Sequence, residues 1–465
     1  MARTDDGTHP GQTGRLGVPR LLGLVMATVT PLIVAVAVIP AGYAQTGVTG
    51  LAPAFLAVAL VMAVFVPGYL AMGRDIGHPG GFYAYAARGL NPVAGAAAAA
   101  VALVAYWALL VGLFGVFGSA VGALIGPSAP HWAVTALVAL VVVTVLSVLW
   151  LPVPTAVVLV ALVADVVWCV VTYAALLVSG DVLDAVSTPG DSLHELPRAL
   201  LLGFLGWVGV ETVMIYHRRV RGSRTIGRAV RLMVPLLGAL YVLAAIAPVA
   251  ATGTNGIVAA ARTHGDGLVF HLAEQQLGAG WVDIGHVLFA VGAFAAMVSF
   301  SMTVSSYVRN LGVDGVLPAS LGVLSRRTAA PVRATAALCA LTAVAVLTAA
   351  AVGWDPVAHV FLGGGAFGAL GVLALLVVVA GAVVRYRWRT RGVVLAVVAA
   401  VALAGLLVIA LVEFDALLSP ETVVLRWTVP VVFALVAVAG AVRAWWMRTH
   451  DPARYRAIGT TGEAS

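Results

Sequence analysis

Twelve stretches of about 20 residues, each almost free of charge, divide this chain of 465 residues. About 20 apolar residues in helix cross a hydrocarbon layer. A chain with twelve such stretches has few alternatives to a bundle of membrane-spanning helices, because only helices and closed barrels satisfy their backbone inside lipid. The stretches are 21–45, 51–73, 93–124, 131–150, 153–179, 199–217, 232–251, 283–309, 331–352, 356–382, 392–413 and 425–447, numbered here as spans 1 to 12. Leu151-Pro152, followed by Pro154, reads as a tight turn between spans 4 and 5; one kinked helix would lower the count. Charged residues are 10% of the chain and hydrophobic ones 62%, against about 25% charged in a soluble domain. Too little polar surface remains to cover a soluble fold of this length. The expected fold is all-α and integral to the membrane.

Every basic side chain is an arginine, and their placement predicts orientation. Only Arg198, Arg262 and Arg426 lie in one set of loops; the other 23 of 26 lie in the loops after spans 2, 6, 8 and 10 and in the tails. Cytoplasmic loops carry the excess of positive charge. Both termini are therefore expected in the cytoplasm, with the protein multi-pass in the cell membrane. The opposite loops carry Asp181, Asp184, Asp191, His194 and Glu195 after span 5, and His264, Asp266, His271 and Glu274 after span 7. The 253–282 segment is long enough for a short amphipathic helix on the outer surface. Leu21–Ile39 is longer than a signal-peptide core, so an uncleaved first span is expected. Residues 1–19 and 448–465 read as polar tails, disordered by composition. The net charge of +7 sits in membrane-flanking loops, which argues against nucleic acid as a partner. Cys169 and Cys339 lie in apolar runs without metal-ligand spacing and read as core residues.

Two acids stand where lipid depth makes them costly. Glu211 follows Trp207-Val208-Gly209-Val210 in span 6, and Asp165 lies mid-way along span 5. An ionisable residue at that depth marks a bundle interior or a water-filled cavity, and with it a functional site for a polar or charged solute. Asp165 suits a group that carries a proton or ligates a cation; bonded to a Ser or Thr, it would be structural. Helix breakers cluster in span 1, at Thr28, Thr30, Pro31 and Pro40, and in span 6, at Gly203, Gly206 and Gly209. Spans 1 and 6 each begin a set of five, and a second set of five would run inverted relative to the first. Inverted repeats with broken helices at matching positions characterise many secondary transporters. Gly363-Gly364-Gly365-Ala366-Phe367-Gly368 spells G-x-G-x-x-G but lies in an apolar span with no preceding strand. It reads as close helix packing or a kink, not a dinucleotide site. No metal cluster, phosphate loop or nucleophile–base arrangement points to an enzyme, and no cofactor is implied.

Several segments, in order, resemble the amino acid–polyamine–organocation (APC) superfamily of permeases. Pro79-Gly80-Gly81-Phe82-Tyr83-Ala84-Tyr85-Ala86-Ala87-Arg88-Gly89-Leu90 is similar to the loop these permeases carry after span 2. Trp207-Val208-Gly209-Val210-Glu211 resembles their aromatic-x-Gly-x-Glu element, and Arg224-Thr225-Ile226-Gly227-Arg228-Ala229 the segment that follows it. Gly312-Val313-Asp314-Gly315-Val316-Leu317-Pro318, with Ala330-Pro331-Val332-Arg333-Ala334, resembles the loop after span 8. The resemblance implies a leucine-transporter-like fold. Two inverted five-helix repeats, 20–180 and 198–382, form a ten-helix core at 20–382, and 383–447 adds two accessory helices. It implies transport of amino acids or related amines, coupled to protons or sodium. An exchanger or exporter of amines is the alternative within transport. A non-transporting membrane sensor or accessory subunit is the alternative outside it. Either a monomer or a homodimer is compatible.

The chain departs from that pattern in three places. Relatives carry a Gly-Ser-Gly element in span 1 where this chain reads Ile33-Val34-Ala35, with Pro31 nearby as another place for a break. Arg218-Arg219 stands where relatives are acidic, and Ser306 where they carry arginine. The residues expected to face the solute are Thr30, Pro31, Ile33, Val34, Ala35, Tyr106, Trp107, Trp207, Val208, Gly209 and Phe294, the aromatics through shape and cation–π attraction. Glu211, Asp165, Ser301 and Ser305 are expected to serve coupling or gating. Each has a plainer reading, as packing, interface anchor or polar glue between helices.

Overall fold

A computed structural model describes residues 16–76, 81–128, 130–149, 155–187, 192–213, 220, 223–417 and 423–459. Within them the chain is helical, and the β-type pairing among the described residues is one isolated bridge, Leu16 to Val220. Ten helices are long and apolar enough to cross a membrane. Trp132–Val148 and Ala199–Val213 are shorter apolar helices at the positions of spans 4 and 6. Together they account for the twelve apolar stretches. Spans 4 and 5 are separate helices, Trp132–Val148 and Thr155–Ser179; the Leu151-Pro152 turn lies outside the described residues.

Burial orders the bundle. Span 1 is 78% buried along its apolar window, span 11 is 28% and span 12 is 17%. A helix inside a bundle touches protein all round, whereas a peripheral one turns most of its surface to lipid. Span 1 is thus central, and the last two spans are peripheral. Val138, Val141 and Val145 of span 4 and Val394, Val397 and Val401 of span 11 are exposed apolar side chains of the kind lipid covers.

Small residues let the helices approach. Gly368 meets Leu109 and the Ala105 carbonyl of span 3, and Gly365 meets Leu205 of span 6 at 3.2 Å from where a Cβ would stand. The glycine-rich stretch of span 10 is therefore a packing surface at Gly365 and Gly368. It also follows a π-helical turn, Pro356–Gly363, which Asp355 caps by accepting from the Val357 and Ala358 amides.

The segment between spans 7 and 8 forms two short helices, Ile257–His264 and Leu268–Leu277, where the sequence leads one to expect one. The C-terminal tail differs from its reading as disordered. Asp451 caps a helix, Pro452–Ala457, and Ile458 beyond it is buried. The sequence signal was an Asp-Pro pair, an N-cap followed by proline at the first helical position.

Candidate functional site

The path of span 1 is set by one residue pair. Helix Val18–Val29 ends at Thr30, which takes a left-handed conformation (φ 53°, ψ 64°). That region is costly for a β-branched residue. Pro31 follows, and it has no N–H to give the Ala27 carbonyl. The chain resumes as helix at Pro31–Ile33, widens to a π-helix at Val34–Val38, and returns to α-helix at Ile39–Thr46. The break therefore falls at Thr30-Pro31. Ile33, Val34 and Ala35 are helical and buried, and the Ala35 carbonyl accepts from the Tyr173 hydroxyl of span 5 at 3.2 Å.

Span 6 breaks in the same layer. Helix Ser192–Leu205 gives way to turns at 206–209 and a tight helical turn at 210–213. Gly209 has φ +108°, open to glycine and strained for other residues. A Cβ there would stand 3.3 Å from the Thr28 carbonyl oxygen and 3.4 Å from Val29 Cγ2. The unwound part of span 6 thus lies directly against the last turn before the break in span 1.

Glu211 ties the unwound segment together. Its Oε2 accepts from the Gly209 amide at 2.9 Å, and its Oε1 accepts from the Tyr106 hydroxyl of span 3 at 2.9 Å. Its backbone carbonyl accepts from the Tyr69 hydroxyl of span 2 at 3.0 Å. Thr212 Oγ1 donates to the Gly209 carbonyl at 2.5 Å. A helix break frees backbone groups that lipid cannot satisfy; here one carboxylate and the hydroxyls of Tyr69 and Thr212 take up three of them, while Tyr106 holds the carboxylate itself. Tyr69 was not among the expected site residues. Its signal was Pro67-Gly68-Tyr69, a polar-tipped aromatic beside a helix breaker within span 2.

Asp165 sits in a second environment. Its residue is 7% exposed, and Oδ1 has no hydrogen-bond partner. Gly292 of span 8 lets it approach: a Cβ on that glycine would stand 3.3 Å from Oδ2. Asp165 borders a cavity of about 20 Å³ with Ala27, Thr30, Pro31, Ile33 and Phe289. That volume holds one water molecule or a small cation, not an amino acid. The broken end of span 1 therefore opens onto a pocket whose one charged lining side chain is Asp165.

The remaining expected residues spread out. Trp207 is buried and meets Tyr241 of span 7 edge-on at 6.2 Å. Val208 is buried beside it. Trp107 is half-buried, and its Nε1 has no partner. Phe294 packs on Phe117 at 6.0 Å, between spans 8 and 3, and lines neither the Asp165 cavity nor the Glu211 clamp. Ser301 and Ser305 are buried, Ser305 Oγ without a partner. They begin nine residues beyond Gly292, about 13 Å along the helix axis, so they do not join Asp165. Their neighbour Phe300 meets Tyr106 at 5.8 Å, which puts that stretch of span 8 near the clamp instead.

Outside the spans, Asp266 lies at the turn between the two short helices that follow span 7 and accepts from Ser119 Oγ at 3.1 Å. Burial pushes its carboxyl above the usual carboxylate range, and nearby Asp355 pushes the same way, while the Ser119 bond and His286 oppose. Among the described residues no cluster of His, Cys, Asp or Glu could hold a metal ion. The sequence matches the amino acid permease family over residues 16–447, and none of the curated proteins matches it.

Proposed function

The chain belongs to the amino acid permease family of the APC superfamily, and on that premise we propose that it is a secondary transporter that moves an amino acid or related amine across the cell membrane, driven by protons. The observation that carries the reading is the meeting of two helix breaks, Thr30-Pro31 and 206–213, with Glu211 clamped across the second. Half-helix ends at such a point offer backbone groups to a solute. In this reading Glu211 links occupancy to closure, because its bonds reach spans 2, 3 and 6 together.

Asp165 carries the coupling proton. Its cavity is small, and Asp165 is its one carboxylate, with Thr30 as the one hydroxyl on the lining; a proton needs no more than that carboxylate. It touches the break in span 1, so a change of charge there acts on the same helix the solute meets. Rocking of a helix bundle that contains the broken spans alternates access, and spans 11 and 12 lie at its periphery.

The test is uptake of labelled amino acids and amines into proteoliposomes, under an imposed proton or sodium gradient. Uptake should follow the proton gradient, and Asp165→Asn should abolish that dependence. Glu211→Gln should reduce uptake under either gradient. The reading fails if both variants leave uptake and its pH dependence unchanged. A sodium-driven flux would overturn the coupling and leave the transport.

A further inference from the structure

We propose that the C-terminal segment 451–459 is a built-in latch, which holds the short helix after span 2 against the aromatic cluster beneath Glu211. That helix, Phe82–Gly89, is buried on both faces. On one face lie Ala84 and Ala87. A Cβ placed on Gly459 (φ +73°) would stand 3.0 Å from Ala87 Cβ and 3.2 Å from Ala84 Cα. Ile458, 1% exposed, completes a small apolar cluster with Ala87, Ala96, Ala444 and Met447. The tail is thus seated on the helix by glycine-close contact and by one buried aliphatic side chain.

The opposite face carries Phe82 and Tyr85, three residues apart and so on one side. Phe82 stacks on Tyr106 at 6.4 Å, with 6° between the planes. Tyr85 meets Tyr69 at 4.9 Å. Those two tyrosines are the ones that donate to Glu211. Displacing Phe82–Gly89 therefore removes the packing behind both donors. The segment is one packed layer from the helix and two from the clamp.

A second contact fixes the same helix from its side. Tyr83 donates to Asp314 Oδ2 at 2.5 Å, in the loop after span 8. The next residue, Gly315, accepts from Arg443 Nη2 at 2.9 Å, and Arg454 Cδ lies 3.1 Å from where its Cβ would be. The tail thus bridges the loop after span 2 and the loop after span 8. It touches both without entering the clamp, and Asp451–Gly459 could leave without breaking a span.

The latch is independent of the transport reading and can be tested without a substrate. Hydrogen exchange on the purified full-length protein would be compared with Ile458→Asp, with Ile458→Leu, and with a chain stopped after His450. Local opening sets exchange rates, so release should speed exchange in 82–89 and 204–213 by about threefold or more. Ile458→Leu should exchange as wild type, and 257–264 and 268–277 on the other face should keep their rates in every form. Unchanged exchange in 82–89 overturns the proposal. So does acceleration spread evenly over 257–264 and 268–277 as well, because the segment would then be a general brace.

Discussion

Glu211 shows how a single side chain can make an unwound membrane helix tolerable. It meets the Gly209 amide and the Tyr106 hydroxyl with its two oxygens, and no water is needed to satisfy either. Tyr106→Phe leaves one oxygen of a buried carboxylate unpaired, which should cost about 1–3 kcal/mol. The loss should appear as a lower melting temperature of the purified protein; an unchanged value would remove Tyr106 from the clamp. Asp266 offers a test at the same scale with a defined sign. Its folded pKa is raised by burial above the ordinary value of 3.8. The folded state then holds the proton more tightly than the unfolded one. Stability is greatest below 3.8 on this account and falls as pH rises through the folded value. Asp266→Asn should remove that part of the fall. Its melting temperature relative to wild type should rise with pH across the window and level off above it; a constant difference would sink the assignment. The acids themselves were visible in the sequence, because charge in an apolar run stands out. Their surroundings were not. Nothing in the order of residues told that Glu211 would be fully bonded while Asp165 would keep a bare oxygen.

At the scale of elements, the two breaks differ in construction. Span 1 is interrupted by a proline after a strained threonine, and span 6 by a glycine in a conformation that β-carbons resist. Gly209→Ala should therefore destabilise by about 1–3 kcal/mol, since the new methyl meets both the strained φ and the Thr28 carbonyl. Thr30→Gly relieves strain of about 1 kcal/mol and should cost little or nothing. Thermal melts of the two variants check the pair; equal losses would mean that backbone conformation does not govern these positions. Pro31 and Gly209 were legible as breakers because their chemistry acts locally. The placement of Phe294 and Trp207 was not, since an aromatic in a helix announces burial but not its neighbour. Phe294 meets Phe117 and Trp207 meets Tyr241. The tail helix escaped for another reason. Pro452–Ala457 is too short to show an apolar period, and its anchor, Ile458, is a lone apolar residue in a polar stretch.

The whole molecule has two faces of different chemistry, and the fold brings together what the sequence scatters. Leu16 pairs with Val220, Arg387 bonds Asp75 at 3.0 Å, and the tail meets the loops after spans 2 and 8. Among the described residues, Leu16, the 451–459 segment and the arginine-bearing loops they meet thus share one face. The other face gathers Asp184, which accepts from the Thr254 amide at 3.1 Å, with Asp266 and the stacked pair His264 and His271. Twenty-three of 26 arginines fall on the tail side by sequence, with Arg198, Arg262 and Arg426 opposite. Positive loops are retained in the cytoplasm during insertion, so such an imbalance predicts one orientation. A reporter active only in the cytoplasm should work when fused after Ser465 and fail when inserted at Gly278, between the two short helices and span 8. A reporter active only outside should show the reverse. The opposite pattern would mean that the arginine bias does not set the orientation of this bundle, and the acidic face, with Asp266 and its histidines, would then meet the cytoplasm.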